Sequence, residues 1–185
     1  MGEQFPKLDA KLREFIGQQR VFFTASAAPN ARVNISPRGV EAFAVLDDNT
    51  AVYLDRTGSG NETAAHLKAD GRLTIMFCAF EGAAKILRLY GRGEVLRRGS
   101  AAYDELLTSV FAGEEPIGAR QMIRLHIDLV KTSCGWGMPV YTYRRGRPSL
   151  DNWAAHQGEE GMAAYRRETN VVSMDGLPTG LLEES

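Results

Sequence analysis

The sequence predicts a mainly β fold with flanking helices, of the α+β class, built on an antiparallel six-stranded barrel. Strand-like segments recur along the chain and are mostly joined by turns of hairpin length. Only one interior helix follows a strand closely, whereas a parallel doubly wound sheet needs a helix after nearly every strand. No internal repeat or linker divides the 185 residues, so the length suits one domain, or one domain with an appendage.

The first half of the chain predicts one helix followed by short strands. Apolar residues at helical spacing predict an amphipathic helix at the start, on Leu8, Leu12, Phe15 and Ile16. β-branched and aromatic residues predict a strand at Val21–Ala27, and Arg32–Ser36 predicts the second strand, which Pro37 and Gly39 interrupt. A hairpin is predicted where Ala42–Leu46 and Ala51–Leu54 flank a polar turn.

The second half alternates strands with helices. A glycine-rich loop leads into the predicted helix Glu62–Ala69. Two strands are expected next, the buried strand Leu73–Phe80 and the long strand Ile86–Leu96, which Gly91 and Gly93 break. The remaining expected elements are the helix Ala101–Phe111, the strand Met122–Val130 and the amphipathic helix Leu150–Glu168. From Val171 onwards we expect an irregular tail.

Composition excludes several classes of function. The chain is 44% hydrophobic and 24% charged, with a formal net charge of −1, which is not the basic excess typical of nucleic-acid binders. Cys78 and Cys134 lie too far apart in sequence to build a metal site alone, and His126 with Asp128 lacks a third ligand nearby in sequence. No apolar run approaches the length of a membrane span and no signal peptide is evident. We therefore expect a cytoplasmic protein with no metal, nucleic acid or membrane partner.

Three segments, in this order, carry a resemblance to a known family: Arg32–Gly39, Tyr53–Thr63 and Ile86–Val95. They resemble the phosphate-binding strand, the serine-containing phosphate loop and the central strand of the pyridoxamine 5′-phosphate oxidase-like flavoproteins. The resemblance implies a split β-barrel of the flavin-binding type, with FMN as the cofactor. It covers about residues 5 to 132, so we expect a barrel domain over residues 1–132 and a C-terminal loop and helix extension over 133–185, packed on the barrel or on a dimer partner.

The resemblance and the residue chemistry together predict a set of cofactor-binding residues. Gly58–Asn61 opens a helix, whose free N–H groups suit a phosphate, although a simple capped helix start has the same pattern. An arginine in a strand needs an anionic partner or solvent, and a phosphate is a good bidentate partner. The predicted residues are Arg32, Val33, Asn34, Ile35, Ser36, Leu54, Asp55, Ser59, Gly60, Asn61, Arg88 and Trp136.

Two departures from the family pattern bear on the ligand. Gly60 and Asn61 stand where the vitamin-pathway enzymes have a basic pair, and Pro37 stands where they have a lysine, with Arg38 next to it. With fewer fixed positive charges, backbone N–H groups are expected to hold more of the phosphate. Because Pro37 replaces the lysine, contacts to the substrate phosphate are missing or moved, so pyridoxamine phosphate is not the expected substrate.

The sequence accordingly predicts a homodimeric FMN-dependent oxidoreductase with the flavin at the subunit interface. The expected reaction is two-electron transfer between flavin and a small-molecule substrate or electron donor, and no catalytic side chain is identified. Three alternatives stay open: a non-catalytic flavin carrier or sensor, a split barrel that binds deazaflavin or haem, and an interaction module with an empty barrel.

Overall fold

One antiparallel sheet of eight strands organises the chain, in a computed structural model that describes residues 2–183. The strands follow the order β3-β2-β6-β7-β8-β5-β4, and β1 pairs with β8. The elements in chain order are β1 (Gln4–Phe5), α1 (Ala10–Gly17), β2 (Val21–Ser26), β3 (Asn34–Gly39), β4 (Phe43–Asp47), β5 (Thr50–Arg56), α2 (Glu62–Ala69), β6 (Arg72–Cys78), β7 (Ile86–Arg97), α3 (Ala101–Val110), β8 (Ala119–Ser133) and α4 (Ser149–Thr169).

The predicted number of six strands is too low, because the sheet has eight, including the two-residue β1. The expected interruption at Pro37 is also wrong. Pro37 lies inside β3, which begins at Asn34 and leaves Arg32 and Val33 outside the strand. Within the described part of the chain β3 pairs only with β2, so it is an edge strand. A proline is tolerated there because its missing N–H would face away from the ladder.

The core follows from the alternation of side chains along the strands. In β2 the residues Phe22, Thr24 and Ser26 are buried while their neighbours are half-exposed, and β6 repeats this pattern. Phe22 packs against Phe77 and Tyr53, with ring centroids 5.9 and 5.5 Å apart. Burial of these large apolar surfaces is the main stabilising term of the sheet.

β7 is a continuous strand, in contrast to the break expected at Gly91 and Gly93. The ladder with β8 shifts its register between Tyr90 and Gly91, so the glycine marks a bulge and not a strand end. A Cβ at Gly91 would lie 1.9 Å from the carbonyl oxygen of His126. Glycine is needed here because the β8 backbone approaches too closely for any side chain.

The C-terminal segment contains α4 and an irregular tail. Gly158, with φ 64°, kinks α4 in the middle. The tail after α4 is irregular, as expected, with one bridge between Val172 and Pro178. Among residues 2–183, no helix is long and apolar enough to cross a membrane.

Candidate functional site

A cavity of about 260 Å³ lies where β3, the loop between β5 and α2, and the start of β8 meet. Side chains that line it include Ser36, Arg38, Arg56, Ser59 and Arg120. We call it the arginine cradle, because three guanidinium groups border a space of this small size. Its residues come from three separate parts of the sequence, so the cradle exists only in the folded chain.

The Asp55 carboxylate holds two of these arginines in place. Its fully buried carboxylate accepts hydrogen bonds from Arg38 Nη1 at 2.5 Å, Arg120 Nε at 2.9 Å and Gln121 Nε2 at 2.8 Å. Burial acts to raise the pKa of Asp55, but the charges of Arg120 and Arg38 hold it below its usual value. One carboxylate thus serves two guanidinium groups and leaves the cradle with a positive excess at this point.

Tyr53 supports Arg38 from the barrel interior. The Arg38 guanidinium lies 4.8 Å from the centroid of the Tyr53 ring, a distance that suits a cation–π contact. Burial raises the pKa of Tyr53 to about 12, so the phenol stays neutral at physiological pH. Arg38 Nε also donates to Thr24 Oγ1 at 3.4 Å.

Asn170, directly after α4, fixes the loop that forms one wall of the cradle. Its side chain donates to the Gly58 carbonyl at 3.0 Å and accepts from Arg120 Nη1 at 2.7 Å. Arg120 Nη1 also donates to the Gly60 carbonyl at 2.9 Å. With Asn170 fully buried, the loop conformation depends on a residue more than a hundred positions away in sequence.

The start of α2 has no side-chain cap from any residue that the structure describes. Asn61 holds the cap position, but its side chain makes no hydrogen bond to the helix and its Oδ1 accepts from Gln121 Nε2 at 2.8 Å. The alternative of a helix simply capped by Asn61 is therefore not what the structure shows. Because the first N–H groups of a helix have no intrahelical acceptor, they are available to an anion at this point.

Five of the residues predicted from sequence line the cradle together: Asn34, Ser36, Ser59, Gly60 and Asn61. Asn34 and Ser36 share one face of β3, and Asn34 Nδ2 donates to Thr63 Oγ1 at 3.2 Å. Asp55 lies beneath the cradle and acts through the arginines that it holds.

The other predicted residues lie elsewhere. Arg32 has its backbone and its guanidinium bound to Asp175 in the tail, and its side chain is 72% exposed. Val33 and Ile35 are 67% and 66% exposed, and Trp136 is 84% exposed. Arg88 lies on β7, where it donates to Ser133 Oγ at 3.1 Å.

Leu54 lines a second, neighbouring cavity of about 880 Å³, which shares Pro37, Arg38, Arg56 and Gly58 with the cradle. Phe111 and Leu150 also line it. The cradle is therefore continuous with a larger space of mixed polar and apolar lining, the usual composition of a small-molecule site.

Sequence reasoning missed Arg38, Arg56 and Arg120 as members of the site. A signal existed for Arg38, because it lies two residues after Ser36 and so shares a strand face with it. Arg56 ends β5 immediately before the loop, and Asp151 Oδ1 pairs with its Nη2 at 2.7 Å. Arg120 gives no local signal, since only the pairing of β8 with β5 brings it to Asp55.

Comparison with known proteins identifies the family of this architecture. Residues 8–134 match the family described as pyridoxamine 5′-phosphate oxidase. A pyridoxamine 5′-phosphate oxidase family protein, ustO of Aspergillus flavus, is 34% identical over 190 residues, which cover 94% of this chain and 76% of that protein.

Solved structures share the fold. HupZ of Group A Streptococcus superposes with a TM-score of 0.53 and 20% identity, over 66% of this chain and 91% of that one. A candidate pyridoxamine 5′-phosphate oxidase from Lactobacillus delbrueckii gives a TM-score of 0.53 and 16% identity, over 68% and 94% of the two chains. These similarities confirm the predicted fold, a mainly antiparallel sheet that forms a half-barrel with flanking helices.

Proposed function

The chain belongs to the pyridoxamine 5′-phosphate oxidase family. We propose that it binds FMN and works as an FMN-dependent oxidoreductase on a small organic molecule. The observation that carries the proposal is the arginine cradle beside the uncapped start of α2.

Three guanidinium groups and one carboxylate, that of Glu62, line the cradle, so its lining charges favour a phosphate monoester. Arg38, Arg56 and Arg120 supply guanidinium groups, which bind phosphate oxygens in a bidentate manner. Gly58 and Gly60 border the same space, and a Cβ built at Gly58 meets no atom within 4 Å. The two glycines therefore leave room for a ligand next to the backbone. This donor set compensates for the basic pair that Gly60 and Asn61 replace.

The flavin ring has two features available to it next to the cradle. β3 is an edge strand, so one side of its backbone is unpaired within the sheet of residues 2–183. The neighbouring cavity of about 880 Å³ adjoins Pro37 and Arg38 and offers space for a ring and a substrate. Bound flavin would supply the two-electron chemistry, while this chain binds the phosphate, orients the cofactor and limits access of water.

We further propose a homodimer with the flavin at the subunit interface. The sheet face opposite the core carries half-exposed apolar side chains, and Phe23 pairs in register with Met76, as Tyr90 does with Leu129. Val33 and Ile35 are exposed on the adjacent edge segment. Arg88 and Lys131 lie on the same face, in register with Met76, so the face is apolar in patches with two basic groups between them. Exposed apolar patches of this kind mark protein interfaces, and a second copy would cover them.

The proposal is tested on the purified protein by its visible absorption spectrum and by mass identification of the released ligand. FMN is expected, with the paired visible bands of an oxidised flavin that bleach when a reduced nicotinamide is added. A Soret band would show that the bound cofactor is haem and not a flavin. The mass of a deazaflavin would show that this cofactor is bound in place of FMN. Bound FMN without turnover on any acceptor would leave a carrier or sensor. A colourless protein that does not take up added FMN would refute the proposal.

A further inference from the structure

Another cavity, of about 510 Å³, lies next to the cradle between β7, the second half of α4 and the tail at residues 179–183. We call it the tail pocket. Its volume is within the range of sites for small organic molecules. Five basic side chains from separate elements line it: Lys68, Arg97, Arg98, Arg120 and Arg166.

Among residues 2–183, two carboxylates line the tail pocket, and one of them is directed to other partners. Glu94 accepts hydrogen bonds from Arg124 at 2.5 Å and from His126 at 2.8 Å. Glu183, near the end of the described chain, pairs with Lys68 and Arg97. The lining side chains therefore carry a positive excess, although Arg98 pairs with Glu115 and Glu159, and Arg120 pairs with Asp55. The carboxylate that meets Lys68 and Arg97 comes from the tail itself.

Among the arginines of the tail pocket, Arg166 is the one whose positive charge has no carboxylate partner within residues 2–183. Its Nη1 donates to two neutral oxygens, Thr57 Oγ1 at 3.3 Å and the Ala119 carbonyl at 3.2 Å, and within residues 2–183 it forms no ion pair. Partial burial, reinforced by the neighbouring positive charge of Arg98, lowers the pKa of Arg166. Arg98, by contrast, pairs with Glu115 at 2.5 Å and Glu159 at 3.3 Å.

We propose that the tail pocket binds a small organic anion, whose carboxylate or phosphate is held by Arg166. The Glu183 carboxylate competes with this anion for the positive charge of the pocket. Leu67, Val95 and Leu181 line the same space, so the ligand carries an apolar portion as well as its charge. The site is separate from the cradle, with which it shares Arg120 as a common wall.

Calorimetric titration of the full chain tests this site with three probes that share one ring. Benzoate offers a carboxylate, phenyl phosphate a phosphate, and benzyl alcohol no charge. Titrations are made with and without saturating FMN, because the cradle can also take a phosphate. At least one anion is expected to bind at one site per chain when FMN is saturating, and more tightly than benzyl alcohol.

Three variants locate the binding. Arg166→Gln should lower the affinity for the anion about tenfold or more, since it removes a charge-assisted hydrogen bond. Glu183→Gln should strengthen it about two- to fivefold, because it removes the competing carboxylate of an exposed ion pair. Arg72→Gln, which removes the same charge from an exposed arginine outside the tail pocket, should leave the affinity within about twofold of the original.

Anions that bind no better than benzyl alcohol would overturn the proposal, as would an unchanged affinity in a folded Arg166→Gln variant. If Arg166→Gln fails to fold, Glu183→Gln decides: a gain supports the site and no change overturns it. Because the readout follows Arg166 and Glu183, it stands whether or not FMN binds to the cradle.

Discussion

Replacement of Gly60 by valine is the sharpest test of the phosphate site. Gly60 does not have a positive φ, and a Cβ built there meets Glu62 Oε1 at 3.4 Å as its nearest neighbour. That distance is an ordinary contact, so the fold itself should accept the side chain. The two methyl groups of valine would instead enter the space of the cradle.

FMN affinity of Gly60→Val should fall about ten- to hundredfold, the equivalent of one charge-assisted contact of about 1.5–3 kcal/mol. Riboflavin lacks the phosphate and should lose no more than about threefold. Both affinities are measured by quenching of flavin fluorescence, together with the melting temperature of the ligand-free protein.

Gly137→Val is the matched control. Like Gly60, Gly137 has no positive φ, and a Cβ built there meets no described atom within 4 Å. Unlike Gly60, it lies in the exposed loop after β8, away from the cradle. Its replacement should change neither affinity. Equal losses of FMN and riboflavin in Gly60→Val, or a lower melting temperature without ligand, would refute the reasoning and assign the loop to folding.

Three further predictions concern charge and assembly. Arg56→Gln should lower the affinity for FMN about tenfold in a fluorescence titration. Arg32→Gln should leave this affinity nearly unchanged, because Arg32 pairs with Asp175. Equal effects of the two substitutions would contradict the assignment of Arg56 to the phosphate site. Asp55→Asn should lower the free energy of unfolding in urea by about 3–5 kcal/mol, since it leaves buried guanidinium groups unpaired, whereas the exposed Asp48→Asn should leave the urea midpoint almost unchanged. The pKa of Asp55 is lowered in the folded state, so this stabilisation is present above the unfolded-state pKa of about 4 and is lost as the pH falls through the folded value. Tyr90→Glu should halve the mass seen by light scattering, and a variant that remains dimeric would exclude the proposed interface.

Much of the fold can be predicted because its signals are local. The sequence predicts the bounds of α2 to the residue, and those of α3 to within one, since helix periodicity and terminal signals lie within a few residues of each other. Composition likewise predicts the strands that become β2 and β6, from the β-branched and aromatic residues at Val21–Ala27 and the apolar run at Leu73–Phe80. Residues 58–61 are recognisable as a loop opening a helix, and they do line the cradle.

The path of β3 shows where local reasoning fails. Pro37 disfavours a central strand, but an edge strand accepts it, and a sequence does not state which strand lies at the edge. The expected break at Gly91 fails for a similar reason. The role of this glycine depends on how closely the β8 backbone passes, which is set by the pairing of two strands and not by either one alone.

Residue order over short spans is thus enough to define the class of the fold, the family and the loop at the start of α2. Which charges share the site is settled only in three dimensions. Arg120 and Asn170 lie 65 and 115 positions after Asp55, yet all three belong to one hydrogen-bonded cluster that holds the cradle. Arg32, the phosphate arginine expected from sequence, pairs instead with Asp175. Charge interactions weaken with distance, so partners are chosen by spatial neighbourhood, and strand register and the path of the tail fix that neighbourhood.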